Sequence, residues 1–575
     1  MAPQNDSQAG TSVRPTSDIS SDMDPAPRET TVAAEPVAEK KESNSATHMS
    51  GWPLGLLLFG LFLVILIVTL DISIVAVAVP RITDEFQTIK DIGWYPAAFL
   101  ITQCTLLPLA GRIYTFFPFK VCFLAFLAVF ELGSLLCGVA QSSMMLIIGR
   151  AVCGIGGSGL INGALAIVGI AASPEKRPLM MGLFMAVSSC GQIVGPLIGG
   201  ALTEHVSWRW CFYINLPVGG VTTIIFLFIR FPPSDKKTWT SKSLFWDLDL
   251  PGFAVFAPAC VMLLLSITWG DTEYPWKSAT IIGLLCGSVG MFAVFILWEI
   301  RQGEQAMIPP PIMKLRAVYS SCITACFQGG SMLILTYYLV LWFQIIKDAS
   351  PAQSGVYTLP SFLGQVLFSV LTGIAMMKIR YALAPLVLGN VLTIVSYGMF
   401  STFNPSTGSA DWIGWQVMAG SGRGMALQIP LLVVQGAISK ADLATGTSVI
   451  VWAQFLGGSI ILTVAQSVFV SFLRAALRRY VPTLDASAAI EAGATNFIAS
   501  VPPELHAAVL AAYNRAITHV FYLGVAVSGI ALLTSFGIGT VTVQAGGALK
   551  AGKTDAAVAE TGGKTETVKA EPEKA

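Results

Sequence analysis

From residue 53 to residue 541 the chain alternates long apolar runs with short polar breaks. At 1.5 Å of rise per residue, a helix of about 20 residues crosses a hydrocarbon layer of about 30 Å. The pattern predicts fourteen membrane-spanning helices, at 53–80, 94–111, 121–140, 143–171, 179–202, 212–229, 252–269, 278–298, 318–346, 357–377, 382–403, 412–436, 446–472 and 516–541. Runs such as Leu183 to Leu202 and Leu383 to Asn404 hold one charge or none.

An even number of crossings leaves both chain ends on one side. Loops on that side carry Arg112, Lys120, Lys176, Arg177, Arg230, Lys236, Lys237, Lys314, Lys378 and Arg380, whereas short loops opposite carry only Arg81, Lys90, Arg209, Lys277 and Lys347. The positive-inside rule makes the first side cytoplasmic. Arg474, Arg478 and Arg479 stand on the other side, but they open a long segment, 473–515, where the rule weakens. Its prolines and two amphipathic stretches predict a partly helical outer cap. Residues 1–50 are acidic and rich in Ser, Pro and Ala, and residues 545–575 are low in complexity, so both are expected as disordered cytoplasmic tails. The remaining chain divides into an N-terminal six-helix bundle at 51–230, a linker with two inserted helices at 231–317, and a C-terminal six-helix bundle at 318–544. Gly373 to Arg380 echoes Gly111 to Lys120, as expected for parallel halves related by an axis along the membrane normal.

Composition narrows the function. Charged residues are 12% of the chain, about half the share of a soluble domain. The net charge of +1 argues against nucleic acid as a partner. Nine of the ten cysteines fall inside apolar runs, with Cys211 at the edge of one, and read as small buried hydrophobes. Neither they nor the four histidines show metal-ligand spacing, and no metal or other cofactor is expected. Gly547 to Thr554 matches a phosphate-loop pattern, but it lacks the preceding strand and following helix that such a loop requires. Gly154, Gly156 and Gly159 mimic a dinucleotide fingerprint inside an apolar span, where close helix packing is the better reading.

Two further features stand out. Span 5 carries Gly191, Gly195, Pro196, Gly199 and Gly200, a smooth stripe that lets another helix approach, with a proline that bends its own. Four charges stand inside spans: Asp71, Glu131, Arg150 and Arg423. Each raises the free energy of insertion by about 2.5–3.5 kcal/mol, so each is expected to face a partner or a cavity. Asp71, Glu131 and Arg150 are proton-coupling candidates, with a structural ion pair as the alternative. Glu131 lies nearest the midplane and is expected to carry the proton. Asp71, in the outer half of span 1, is expected to line the substrate path, and Arg150 to pair with one of the two acids. Gln103, Trp342, Gln344, Arg423 and Gln428 are further substrate-path candidates.

These residues resemble the fourteen-spanner drug–proton antiporters of the major facilitator superfamily, over residues 50 to 541. Leu70 to Pro80 is similar to the family's first-span motif, Gly149 to Gly157 to the fourth-span motif, and Gly191 to Gly200 to the fifth-span motif of exporters. Trp208, Arg209, Trp210, Asn215 and Pro217 match the segment leading into span 6. Trp342 to Gln344 and Ser354 to Pro360 match later signatures. In the loop after span 2, Thr115 and Phe117 replace the usual acidic residue and second glycine. The acidic tail, Phe130 to Ser134 and Gly422 to Gly424 resemble the fungal branch that exports mycotoxins and secondary metabolites. The resemblance implies an all-α membrane protein of major facilitator fold, with fourteen helices arranged as six, two and six. It implies no enzyme activity but proton-coupled efflux of small apolar compounds by a monomer in the plasma membrane. A vacuolar or vesicular membrane is the alternative site. An importer on the same fold, for example of siderophores, is the alternative function.

Overall fold

The computed structural model describes residues 51–88, 91, 93–229, 241–270, 273–379, 381–482 and 501–539. Both predicted tails, residues 231–240 after span 6, the phosphate-loop-like segment and the middle of 473–515 lie outside the described residues. Among the described residues, fourteen helices are long and apolar enough to cross a membrane. They are α1 (Trp52–Phe86), α2 (Trp94–Phe116), α3 (Phe119–Gly138), α4 (Ser143–Ala171), α5 (Arg177–His205), α6 (Trp210–Phe228), α7 (Leu250–Trp269) and α8 (Ala279–Gln302). The second half adds α9 (Arg316–Ile346), α10 (Leu359–Ile379), α11 (Leu383–Phe400), α12 (Ser409–Ala437), α13 (Leu443–Tyr480) and α14 (His506–Ser535). α6 breaks its helical assignment at Ile214 and α12 near Leu427 and Gln428.

Most boundaries fall within a few residues of the hydrophobic pattern, and the exceptions have a packing cause. α13 runs eight residues past its apolar run, to Tyr480, because Leu473, Ala476 and Leu477 are buried. α14 starts at His506 because Val509, Ala512 and Tyr513 pack into the same core cluster. The described ends of the expected outer cap are thus extensions of crossing helices.

Contacts sort the helices into two sets. In the first half α3 packs on α4, α1 on α5, α2 on α4, and α6 on α1 and α3. In the second, α10 packs on α12, α9 on α13 and α14, and α11 on α12 and α14. α7 and α8 pair with each other, and α7 leans on α2 and α13 at the seam between the halves. α8 is the most exposed crossing helix of the fourteen.

The halves meet chiefly along α5–α10 and α2–α13. Parity places Trp52 and Ser535 at the same face, here called the terminal face. Gly373 lets α10 reach Pro178 and Leu179 of α5, where an added Cβ would lie 2.8 Å from the Pro178 carbonyl oxygen. Gly111 does the same for α2 against Ser448 of α13. The two echoing sequence segments therefore bring backbones together across opposite seams, both at the terminal face.

Candidate functional site

The first half buries a charge cluster. Arg150 of α4 and Asp71 of α1 pair at 2.5 Å and are 1% and 0% exposed. A guanidinium offers five donors, and Arg150 uses another on the Tyr95 carbonyl at 3.0 Å. Its plane lies 4.6 Å from the Phe99 ring centre, a cation–π contact. Asn215, the first residue after the break at Ile214 of α6, donates to Asp71 at 3.3 Å and to Ser134 of α3 at 3.0 Å. Four helices are thereby tied to one carboxylate. The expectation that Asp71 lines the substrate path meets a different geometry: the carboxylate is wholly enclosed, because Arg150 and Asn215 occupy its two oxygens.

Glu131 lies one helical turn from Ser134, and its carboxylate rests against Gly219 of α6, where any side chain would collide with it. Both Glu131 oxygens are buried without a hydrogen-bond partner. Gln103 of α2 is fully buried, and neither end of its amide has a partner. Asn162 of α4 shares that condition and had no signal in the sequence beyond being a polar residue in an apolar run.

The glycine stripe of α5 faces α1, inside the first half. Added side chains at Gly191 and Gly195 would meet Thr69 and Ser73, and a Cβ on Gly199 would lie 2.6 Å from Ile74. Ser73 donates to the Gly191 carbonyl at 3.3 Å across this contact. Pro196, which is half-buried, removes one backbone donor within α5, and Gly200 is half-buried beside it. This contact holds α1, and therefore Asp71, against α5.

The Trp-Arg-Trp segment forms a clasp at the opposite face. Trp208 donates to Glu85 at 2.7 Å, and Arg209 pairs with Glu85 at 2.8 Å and donates to the Ala140 carbonyl at 2.9 Å. Trp210 is 49% exposed and stacks edge-on with Tyr213, while Pro217 is exposed in the first turn of α6 after the break. Arg209, and then the Trp208 indole, hold the Glu85 carboxyl below its ordinary value. Glu85 was missed by sequence reasoning; its only signal is an acid just beyond a span that ends near a Trp-Arg pair.

In the second half the candidates separate. Trp342 is fully buried, donates to Asn514 of α14 at 2.8 Å and packs on Phe403, so it joins helices. Gln344 donates to Ser354 at 3.1 Å, fixing the short helix Pro351–Tyr357. Arg423 is 5% exposed and donates to Ser361 of α10. Gln428 is fully buried, donates to the Ser369 carbonyl at 3.2 Å and faces Gly182 of α5 across the seam.

That seam is built from polar pairs. Ser369 donates to the Gly182 carbonyl at 3.1 Å, Gln365 to Ser189 at 2.9 Å, and Gln435 to the Leu165 carbonyl at 3.2 Å. Thr115 contacts Thr445 of α13 at 3.1 Å, so a hydroxyl pair stands where an acidic residue was expected. Arg112 donates to the carbonyls of Asp247 and Gln305 at 2.8 and 2.9 Å, tying the end of α2 to both ends of the inserted pair. These cross-seam contacts all lie from the middle of the helices to the terminal face.

Comparison with known proteins matches this architecture. The chain is 43% identical over 526 residues to the efflux pump mlcE of Penicillium citrinum, covering 88% of this chain and 95% of that one. It is 42% identical over 520 residues to the efflux pump mokI of Monascus pilosus, covering 88% and 96%. Among solved structures, the proton:xylose symporter XylE bound to 6-bromo-6-deoxy-D-glucose superposes with a TM-score of 0.56 at 12% identity, over 84% of this chain and 94% of that one. The Major Facilitator Superfamily profile matches residues 61–462. The chain belongs to the Major Facilitator Superfamily.

Proposed function

We propose that this integral, multi-pass membrane transporter exports small apolar secondary metabolites in exchange for protons, by alternating access. The direction rests on the likeness to relatives named efflux pumps, at 43% and 42% identity over most of both chains. The span 5 stripe, which resembles that of exporters, favours efflux over import.

The observation that carries proton coupling is the buried Asp71–Arg150 pair with the unpartnered Glu131 carboxylate one turn from its hydrogen-bond network. An ionised Glu131 adds a second negative charge near that of Asp71 and repels it. A proton on Glu131 removes that repulsion and leaves Asp71 to Arg150 and Asn215. Because Arg150 rides on α4, Asp71 on α1 and Glu131 on α3, the change alters forces among three helices rather than within one. The halves are joined at the terminal face in this structure, and a proton taken up at Glu131 from the opposite face drives the change away from this state. Its release at the terminal face drives return to this one. A membrane potential adds about 2.3 kcal/mol per charge per 100 mV.

The terminal face is assigned to the cytoplasm from the distribution of Lys and Arg, the membrane to the plasma membrane, and the working unit to a monomer. The test is reconstitution in liposomes with an imposed pH gradient and a lipophilic fluorescent substrate. Accumulation should follow the gradient and collapse with a protonophore. Accumulation unaffected by collapsing the gradient overturns the coupling, and accumulation only down the proton gradient identifies an importer.

A further inference from the structure

Each half of the transporter buries one arginine in its fourth helix, and among the described residues only one of them has an anionic partner. Arg150 holds Asp71. Arg423 is 5% exposed, and among the described residues it donates to the neutral hydroxyl of Ser361 while its Nε has no hydrogen-bond partner. Among the described residues of α9 to α14, the only acidic side chain within a helix is Asp411, in the first turn of α12 and twelve residues from Arg423. At 1.5 Å per residue that is about 18 Å along the axis, too far for a salt bridge. A buried guanidinium without a counter-charge is strongly unfavourable in an apolar layer.

The surroundings of Arg423 are polar. A cavity of about 10 Å³ beside it is lined by Gln328 and Ser331 of α9, Asn390 and Thr393 of α11, and Ser528 of α14. That is close to the smallest space that holds one water-sized body. The carbonyl oxygen of Gln328 is buried and unpartnered at this wall, while its amide donates to Asn390 at 3.2 Å.

We propose that the Arg423 cavity is a binding site for a small monovalent anion, either a free halide or the carboxylate end of a transported acid. The bound anion supplies the negative charge that Asp71 supplies in the other half. The inference concerns binding to the resting protein and stands apart from the proposal of proton-coupled export.

The experiment is a thermal-shift titration of the full-length purified protein in detergent, at constant ionic strength, replacing sodium gluconate with chloride, formate or octanoate. Gluconate, a carboxylate followed by a chain of hydroxyls, serves as the strongly hydrated reference. Saturable binding should raise Tm by about 2 °C or more once the anion exceeds its dissociation constant many-fold, and Arg423→Gln should abolish the rise. A rise with chloride and formate identifies a free-anion site. A rise with octanoate alone identifies a carboxylate that arrives with an apolar tail. Ala531→Val, which fills the cavity from its wall and keeps the arginine, should also abolish the response if Arg423→Gln fails to fold. A wild-type Tm that is the same in all four salts overturns the proposal, as does a rise that persists in either variant.

Discussion

Replacing Asp71 with Asn tests whether the buried pair holds the first half together, couples protons, or both. The pair is 2.5 Å long and wholly enclosed, and removing one partner of such a pair leaves an uncompensated charge, at about 3–5 kcal/mol. Asparagine keeps an oxygen for Arg150, so Asp71→Asn belongs at the lower end, about 3 kcal/mol. The corresponding fall in Tm is on the order of 6 °C. Arg150→Gln alone leaves an unpaired carboxylate and should fall as far. The double variant has no buried charge, and its stability should return to within about 1–2 kcal/mol of wild type. Thermal unfolding of the four purified proteins gives the cycle, and pH-driven transport by the same four in liposomes gives the function. Stability recovered without transport assigns the pair a coupling role. Transport with full dependence on the pH gradient in the double variant refutes that role, and an Asp71→Asn protein as stable as wild type refutes the pair itself.

Four further outcomes are expected. Glu131→Gln should fold normally, because neither oxygen of the carboxylate has a partner to lose, while transport loses its dependence on the pH gradient; a variant with unchanged pH dependence moves the proton site elsewhere. Gly195→Val should destabilise the α1–α5 contact by about 1–3 kcal/mol, since a side chain there meets Ser73; an unchanged Tm in detergent contradicts the packing. Glu85 has its carboxyl depressed by Arg209 and Trp208 from an ordinary 4.5, so the stability it contributes is full above that pH and lost as pH falls through the lower folded value. The Tm advantage of wild type over Glu85→Gln should therefore vanish in acid, and an advantage that grows in acid contradicts the sign. Tags at residues 10 and 560 should both be inaccessible to antibody on intact cells, and external labelling of either reverses the assigned orientation.

The charge clusters divide sequence reading from structure in a specific way. Asp71, Glu131 and Arg150 were legible because an ionisable residue in an apolar run is conspicuous whatever it does. Their arrangement was not, because the three stand on different helices and chain separation says nothing about which side chains face each other. Depth along a span favoured Asp71 as a cavity residue. Rotation about the helix axis, set by the α1–α5 glycine contact, instead turned it into the bundle toward Arg150. Trp342 shows the same limit, since its signature motif marked it while only packing revealed that it joins α9 to α14.

The sequence by itself determined that the chain crosses a membrane fourteen times, because helix length against bilayer thickness is a local property that each run satisfies alone. It also determined the close-packing stripe of α5, since glycines four apart share one helix face wherever the helix goes. Tertiary structure decided where α13 and α14 end, because Leu473, Ala476 and Val509 are buried only when the two helices lie side by side. It decided that Thr115 meets Thr445 at the seam and that Glu85 anchors the Trp208 clasp. It likewise decided that, among the described residues, Arg150 finds an acid and Arg423 does not. Each of these is a pairing between helices, and the free energy of a pairing depends on two positions that the local pattern of apolar and polar residues cannot bring into register.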